Sequence, residues 1–173
     1  MDDDYRFDED SYLRACGAEF RRVRLERGLS REALAELSGV HLNTIGAVER
    51  GDHDINGSTK CRLLAALGCK SVNMTDSYDE IVLHDDPGAF PRADIQEMPE
   101  SLVVRIIGQA MRERRESLGL TLEDVAGRAG LHLNTLWNIE RGLVSPMGIH
   151  IHRVYRALGV SVVTPSPETL ILE

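Results

Sequence analysis

The sequence predicts a mainly α fold built from two tandem copies of one small helical domain, and three observations carry that prediction. The stretch HLNTIGAVERG at 41–51 returns as HLNTLWNIERG at 132–142, 91 positions later. Aligned without gaps at that offset, residues 29–51 and 120–142 share eleven identities in 23. Gly17 meets Gly108, Gly28 meets Gly119, and Ala66-Leu67-Gly68 meets Ala157-Leu158-Gly159, so a whole domain of about sixty residues is duplicated. Third, hydrophobic residues make up 42% of the 173 and aromatics only 5%, a balance that suits compact helical cores better than a large sheet.

Each element follows from local pattern. Leu13, Cys16, Phe20 and Val23 recur at helical spacing over 11–27, and Gly28 closes that helix. Ser30 is a good N-cap for a second helix with Leu34 and Leu37 inward. Thr121 takes the same place in the second copy, with Glu123 and Asp124 in the first turn. Gly39 and Gly130 break the chain after two turns, where a positive φ is favoured. A third helix follows with Ile45 and Val48 inward, matched by Leu136 and Ile139, and Gly51 and Gly142 end it. A later helix covers roughly 58–67 and 149–158. Helix, short glycine-containing turn, helix is the helix-turn-helix pattern, and Ala35 and Ala126 stand where its two helices cross closely.

Charge divides the chain along the same lines. The net charge is −8, but the sign alternates: −5 over the acidic tail 1–10, +3 over 11–72, −7 over 73–101, +3 over 102–160 and −2 over 161–173. Residues 11–72 and 102–160 are read as the two helical domains, 73–101 as a β-like segment plus an acidic, Pro-containing linker, and 161–173 as a C-terminal β-like tail. No apolar run approaches the ~20 residues needed to span a bilayer, and the acidic N-terminus lacks the form of a signal peptide, so a cytoplasmic protein is expected. Cys16, Cys61 and Cys69 lack metal-ligand spacing and read as small core residues, with a redox switch as the sharper alternative. There is no phosphate-binding loop, nucleophile motif or metal cluster, so no enzyme, no cofactor and no metal is expected.

The segments CGAEFRRVRLERGLSREALAELSGVHLNTIGAVERG and IGQAMRERRESLGLTLEDVAGRAGLHLNTLWNIERG resemble the Xre/Cro/phage-repressor helix-turn-helix family, over about 16–69 and 107–160. The resemblance implies two lambda-repressor-like domains, each here followed by a short β-hairpin-like tail. It implies that the third helix of each lies in a DNA major groove with its N-terminal residues at base edges. The reading positions are then Leu42, Asn43, Thr44 and Ala47 in one unit and Leu133, Asn134, Thr135 and Asn138 in the other. Asn can pair bidentately with adenine, and Leu, Ala or a Thr methyl can meet a thymine methyl. His41 and His132 either touch phosphate or merely start their helices. Arg31 fits the family's polar contact at the start of the second helix, whereas Leu122 departs from it. Arg50 and Arg141 stand where a phosphate contact is usual. Arg24 with Glu49, and Arg115 with Glu140, match the family's partly buried ion pair between helices one and three. Arg21, Arg22 and Arg27, with Arg112 and Arg114, form either a basic stripe or a solvated helix face.

One departure, the lack of basic residues after the ERG, weighs against tight DNA binding by each unit alone, and another, at Trp137, leaves two roles open. Trp137 replaces Gly46 and either packs on a sugar-phosphate edge or anchors a protein. After the ERG, Asp52-His53-Asp54 and Leu143-Val144-Ser145 carry no Lys or Arg for the backbone. Linking two units in one chain compensates, because the second docking event becomes intramolecular. SVNMTDSYDEIVL (71–83) and SVVTPSPETLILE (161–173) each read as strand, turn and strand, and pair either with each other or with those of a second chain, which would give a homodimer. The acidic N-terminal tail is read as solvated, with DNA mimicry as the sharper idea. The expected function is a sequence-specific, double-stranded-DNA-binding transcriptional regulator, a repressor, encoded on a phage, plasmid or other mobile element or beside a toxin. The alternative is a helix-turn-helix protein that sequesters a regulatory protein partner, as an antiactivator or antitoxin does.

Overall fold

The structure is a computed structural model describing residues 7–86, 92–166 and 168–173. The first unit contains α1 (Glu9–Glu26), α2 (Arg31–Ser38), α3 (Leu42–Glu49) and α4 (Gly57–Leu67), followed by strands β1 (Cys69–Met74) and β2 (Asp79–Leu83). A short helix, α5 (Arg92–Glu97), leads into the second unit: α6 (Glu100–Ser117), α7 (Leu122–Ala129), α8 (Leu133–Glu140) and α9 (Gly148–Ala157), then β3 (Val162–Pro165) and β4 (Leu170–Leu172). Helix α5 and the first two residues of α6 therefore fall within the stretch read as linker. Residues 87–91 of that stretch, and 1–6 of the acidic tail, lie outside the described residues.

The caps are built as the side chains dictate. The Ser30 hydroxyl accepts from the Ala33 N–H at 3.0 Å. Thr121 and Asp124 form a reciprocal capping box at the start of α7. Gly39 and Gly130 adopt φ values of 67° and 64°, the left-handed conformation that ends the second helix and turns the chain into the third. Leu37 does not point inward. It is 41% exposed, as is the corresponding face of α7 at Arg128, because the eight-residue helix buries only the Leu34 and Ser38 side.

The two tails pair with each other. The sheet is antiparallel in the order β2-β1-β3-β4, so the two hairpins meet through β1 and β3. In that pairing Val72 faces Val163, its own counterpart at the offset of 91. The same happens between the units' helical parts, where Asn56 bridges Met147, again its counterpart. Around that bridge the Gly57 N–H donates to Pro146 O and the Gly148 N–H to Ile55 O, both at 2.8 Å, two bonds that exchange under the same operation. A residue facing its own counterpart, flanked by reciprocal contacts, marks a two-fold axis in an isologous interface. Two such points, Asn56/Met147 and Val72/Val163, define a pseudo-dyad relating the halves of one chain. One continuous apolar core crosses this axis, running from Phe20, Leu34 and Ile45 through Leu63 and Val72 to Ile107, Leu136 and Val163.

Candidate nucleic-acid interface

In each unit the third helix is pinned by the first. Gly17 and Gly108 are the contact points. A Cβ on Gly17 would stand 2.2 Å from the Val48 carbonyl oxygen, and one on Gly108 would stand 2.1 Å from that of Ile139, so only glycine allows this approach. Beside the crossing, Arg24 Nε and Nη2 grip Glu49 Oε1 and Oε2 at 2.5 and 3.0 Å. Arg115 grips Glu140 in the same way at 2.7 and 2.8 Å. Each arginine also donates to the carbonyl that precedes the second helix, Leu29 or Leu120, at 2.7 and 3.0 Å. Burial pushes the Glu49 carboxyl up, but the guanidinium groups of Arg24 and Arg31 outweigh it and hold it below the ordinary carboxylate range. Such a pair fixes the angle of the third helix more than it adds stability.

With the inner face of α3 pinned by Ile45, Val48 and Glu49, its opposite face is presented outward. His41, Leu42, Asn43 and Arg50 are exposed, and Thr44 and Ala47 are half-buried. The second unit repeats the arrangement: His132, Leu133, Asn134, Trp137 and Arg141 are exposed, and Thr135 and Asn138 half-buried. His41 is the N-cap of α3, its ring Nδ1 accepting from the Asn43 N–H at 3.2 Å, while His132 makes no such bond.

The arginines of this face differ between the units. Arg31 Nε lies 2.8 Å from Glu49 Oε2, so it completes a two-arginine clasp on one carboxylate while staying partly exposed. Its counterpart Leu122 packs against the core instead. Arg50 pairs with exposed Asp52 at 2.7 Å. The Arg141 guanidinium stacks over the Trp137 ring, 4.3 Å from its centroid. Much of the suspected stripe is engaged elsewhere: Arg22 holds Glu19 and Glu26, Arg112 holds Glu116, and Arg27 donates to the carbonyls of Leu67 and His84. Leu42 and its counterpart Leu133 are exposed alike, at 37% and 39%, but the second unit adds Trp137 at 40%, Leu143 at 62% and Val144 at 43%, where the first has Gly46, Asp52 and His53.

A buried polar cluster across the dyad has no counterpart in the sequence reading. The Asp79 carboxylate accepts from Tyr12 Oη at 2.8 Å and Lys60 Nζ at 2.6 Å, and its other oxygen lies 2.8 Å from His152 Nδ1. It joins α1, α4, β2 and α9, and Phe7 stacks on the His152 ring at 5.3 Å. Burial pushes the Asp79 carboxyl up, yet the Lys60 charge and the His152 bond overcome this and leave it far below its usual range. The signal available in the sequence was the mismatch between copies: Lys60 stands where the second unit has Ile151. Cys16 and Cys69 are buried, and burial pushes the thiols of Cys16 and Cys61 up to about 11 and that of Cys69 up to about 12, so all three are held as thiols. Among the described residues no three potential metal ligands come together, and no helix is long and apolar enough to cross a membrane.

Comparison with known proteins agrees with the geometry. The helix-turn-helix family matches residues 20–72, and a second helix-turn-helix domain family matches residues 106–164. An uncharacterized HTH-type transcriptional regulator of Methanothermobacter thermautotrophicus is 47% identical over 49 residues, which cover 28% of this chain and 71% of that protein. No solved structure matches. With two pinned third helices, two capped turns and two family matches in register with the internal repeat, the chain belongs to the helix-turn-helix family in its Xre/Cro form and carries two copies of the domain.

Proposed function

We propose that this chain is a sequence-specific DNA-binding transcriptional regulator in which one polypeptide does the work of a dimer. The observation that carries the reading is the pseudo-dyad. Many DNA readers place two recognition helices about a two-fold axis to match an inverted repeat. Here the axis relates α3 to α8 within one chain. Asn43 and Asn134 are the bidentate readers of adenine, helped by Leu42, Thr44 and Ala47 in one half-site and Leu133, Thr135 and Asn138 in the other. Arg50 and Arg141 contact phosphate, and Arg31 adds a contact that only the first unit makes. The two half-sites then differ, because position 31/122 exchanges Arg for Leu and position 46/137 exchanges Gly for Trp. Repression by occupancy is the action assigned, since covering a promoter needs only a stable complex.

Titration of a labelled duplex at several salt concentrations tests this. One chain per duplex is expected, with an affinity that falls steeply, log against log, as salt rises. Two chains per duplex, or binding indifferent to salt, would contradict it.

A second reading is favoured by Leu133, Trp137, Leu143 and Val144, which form an apolar surface on the reading side of unit two. In that reading the first unit holds DNA and the second holds a regulatory protein. Trp137→Ala separates the readings: it abolishes capture of the protein partner if Trp137 is an anchor and leaves DNA affinity within a few-fold.

A further inference from the structure

The pseudo-dyad pairs the buried polar cluster with a second location in the same interface, and the two are filled differently. At the first, Phe7, Tyr12 and His152 form a compact aromatic stack, with Tyr12 and His152 centroids 4.6 Å apart and Phe7 5.4 Å from Tyr12. The counterparts of those three rings are Met98, Val103 and Cys61, and the counterparts of Lys60 and Asp79 are Ile151 and Leu170. Three rings have become one flexible thioether and two small side chains. The result is a cavity of about 90 Å³, which Met98, Val103, Cys61, Ile151 and Leu170 all line. Beside Tyr12 and Lys60 the remaining cavity is only about 20 Å³.

The chemistry of the walls selects the occupant. They are overwhelmingly apolar, so the space favours an apolar guest over water, as dry cavities of similar make-up do. Lys60 and Asp79 reach its edge but neutralise each other at 2.6 Å, leaving no uncompensated charge to hold an ion. Tyr155, a buried side chain that carries a phenol oxygen, also lines it. A cavity of about 150 Å³ holds benzene. The difference from 90 Å³ is within reach of Met74 and Met98, whose unbranched thioethers repack readily and contact aromatic rings favourably.

We propose that this cavity is a binding site for a small uncharged aromatic molecule, a single ring of the size class of toluene or phenol, taking the place that protein rings fill across the dyad. A hydroxyl on the guest would find its partner in Tyr155. The walls come from α4 of one unit and from α6 and α9 of the other, so an occupant touches both units at once. The inference adds a ligand site to the DNA-binding reading without depending on it, because binding is read with no DNA present.

The test uses the full chain with methyl-labelled methionine, titrated with phenol, toluene and, as the charged control, benzoate. The expected result is a saturable shift of the Met74 and Met98 methyl signals with phenol and toluene. Met111 and Met147 should stay unmoved, and benzoate should give no shift. Met98→Phe, which restores the counterpart ring, should weaken both ligands at least tenfold. No saturable shift, shifts centred on Met111 or Met147, equal binding of benzoate, or undiminished binding by a folded Met98→Phe would each overturn the proposal. The titration of the unmodified chain decides the matter even where that variant does not fold.

Discussion

Glu49 and Glu140 are each gripped by two nitrogens of one arginine, and Asp79 by a lysine, a tyrosine and a histidine. Removing one partner of such a buried group leaves the other uncompensated. Glu49→Gln and Asp79→Asn should therefore each cost about 3–5 kcal/mol in urea unfolding. The pH dependence follows from the same contacts. Glu49 and Asp79 bind protons more weakly folded than unfolded, so the unfolded chain takes up more protons as the pH falls. Stability should hold above about pH 4 and decline below it, and Asp79→Asn should flatten that decline. At the reading face, Asn43→Ala and Asn134→Ala should each weaken DNA binding by about 1–3 kcal/mol, seen in duplex titration, with the fold unchanged. The Arg24 and Arg115 pairings stood in the family resemblance. The Asp79 cluster did not, because its four members lie far apart in sequence and only the sheet and the dyad bring them together.

Among the elements, the helix-turn-helix pairs were the most legible. Capping serines and threonines, inward aliphatics at helical spacing and the two turn glycines are all local signals. Leu37 misled because spacing alone does not say how wide a buried stripe an eight-residue helix offers. Within 73–101, helix α5 was not legible because prolines and acids around it mask the helical pattern. The approach of α1 to α3 can be tested by adding single methyl groups. Gly17→Ala and Gly108→Ala must push the third helix away, and each should cost about 1–3 kcal/mol or more in thermal unfolding. Gly127→Ala on α7 is the contrast. Nothing lies within 4 Å of its new methyl, so it should stabilise by about 0.5–1 kcal/mol.

The whole molecule is a dimer written as one chain. The repeat announced two domains, and the paired tails stood among the readings of the sequence. The axis itself was not legible, because it rests on contacts between counterparts, Asn56 with Met147 and Val72 with Val163, that no local pattern encodes. Val163 is buried on that axis, so Val163→Asp places a charge in the shared core. It should destabilise the chain as a unit and weaken binding to a two-part site more than to a single half-site. Duplication within a chain lets the halves diverge, and they differ at the exposed face of the third helices and at the interface. The measurement closest to the central claim is selection of binding sites from random duplexes by the purified chain. The expected result is an enriched two-part motif, inverted about its centre and imperfect because the two units differ. A lone half-site, a direct repeat or no enrichment at all would contradict it.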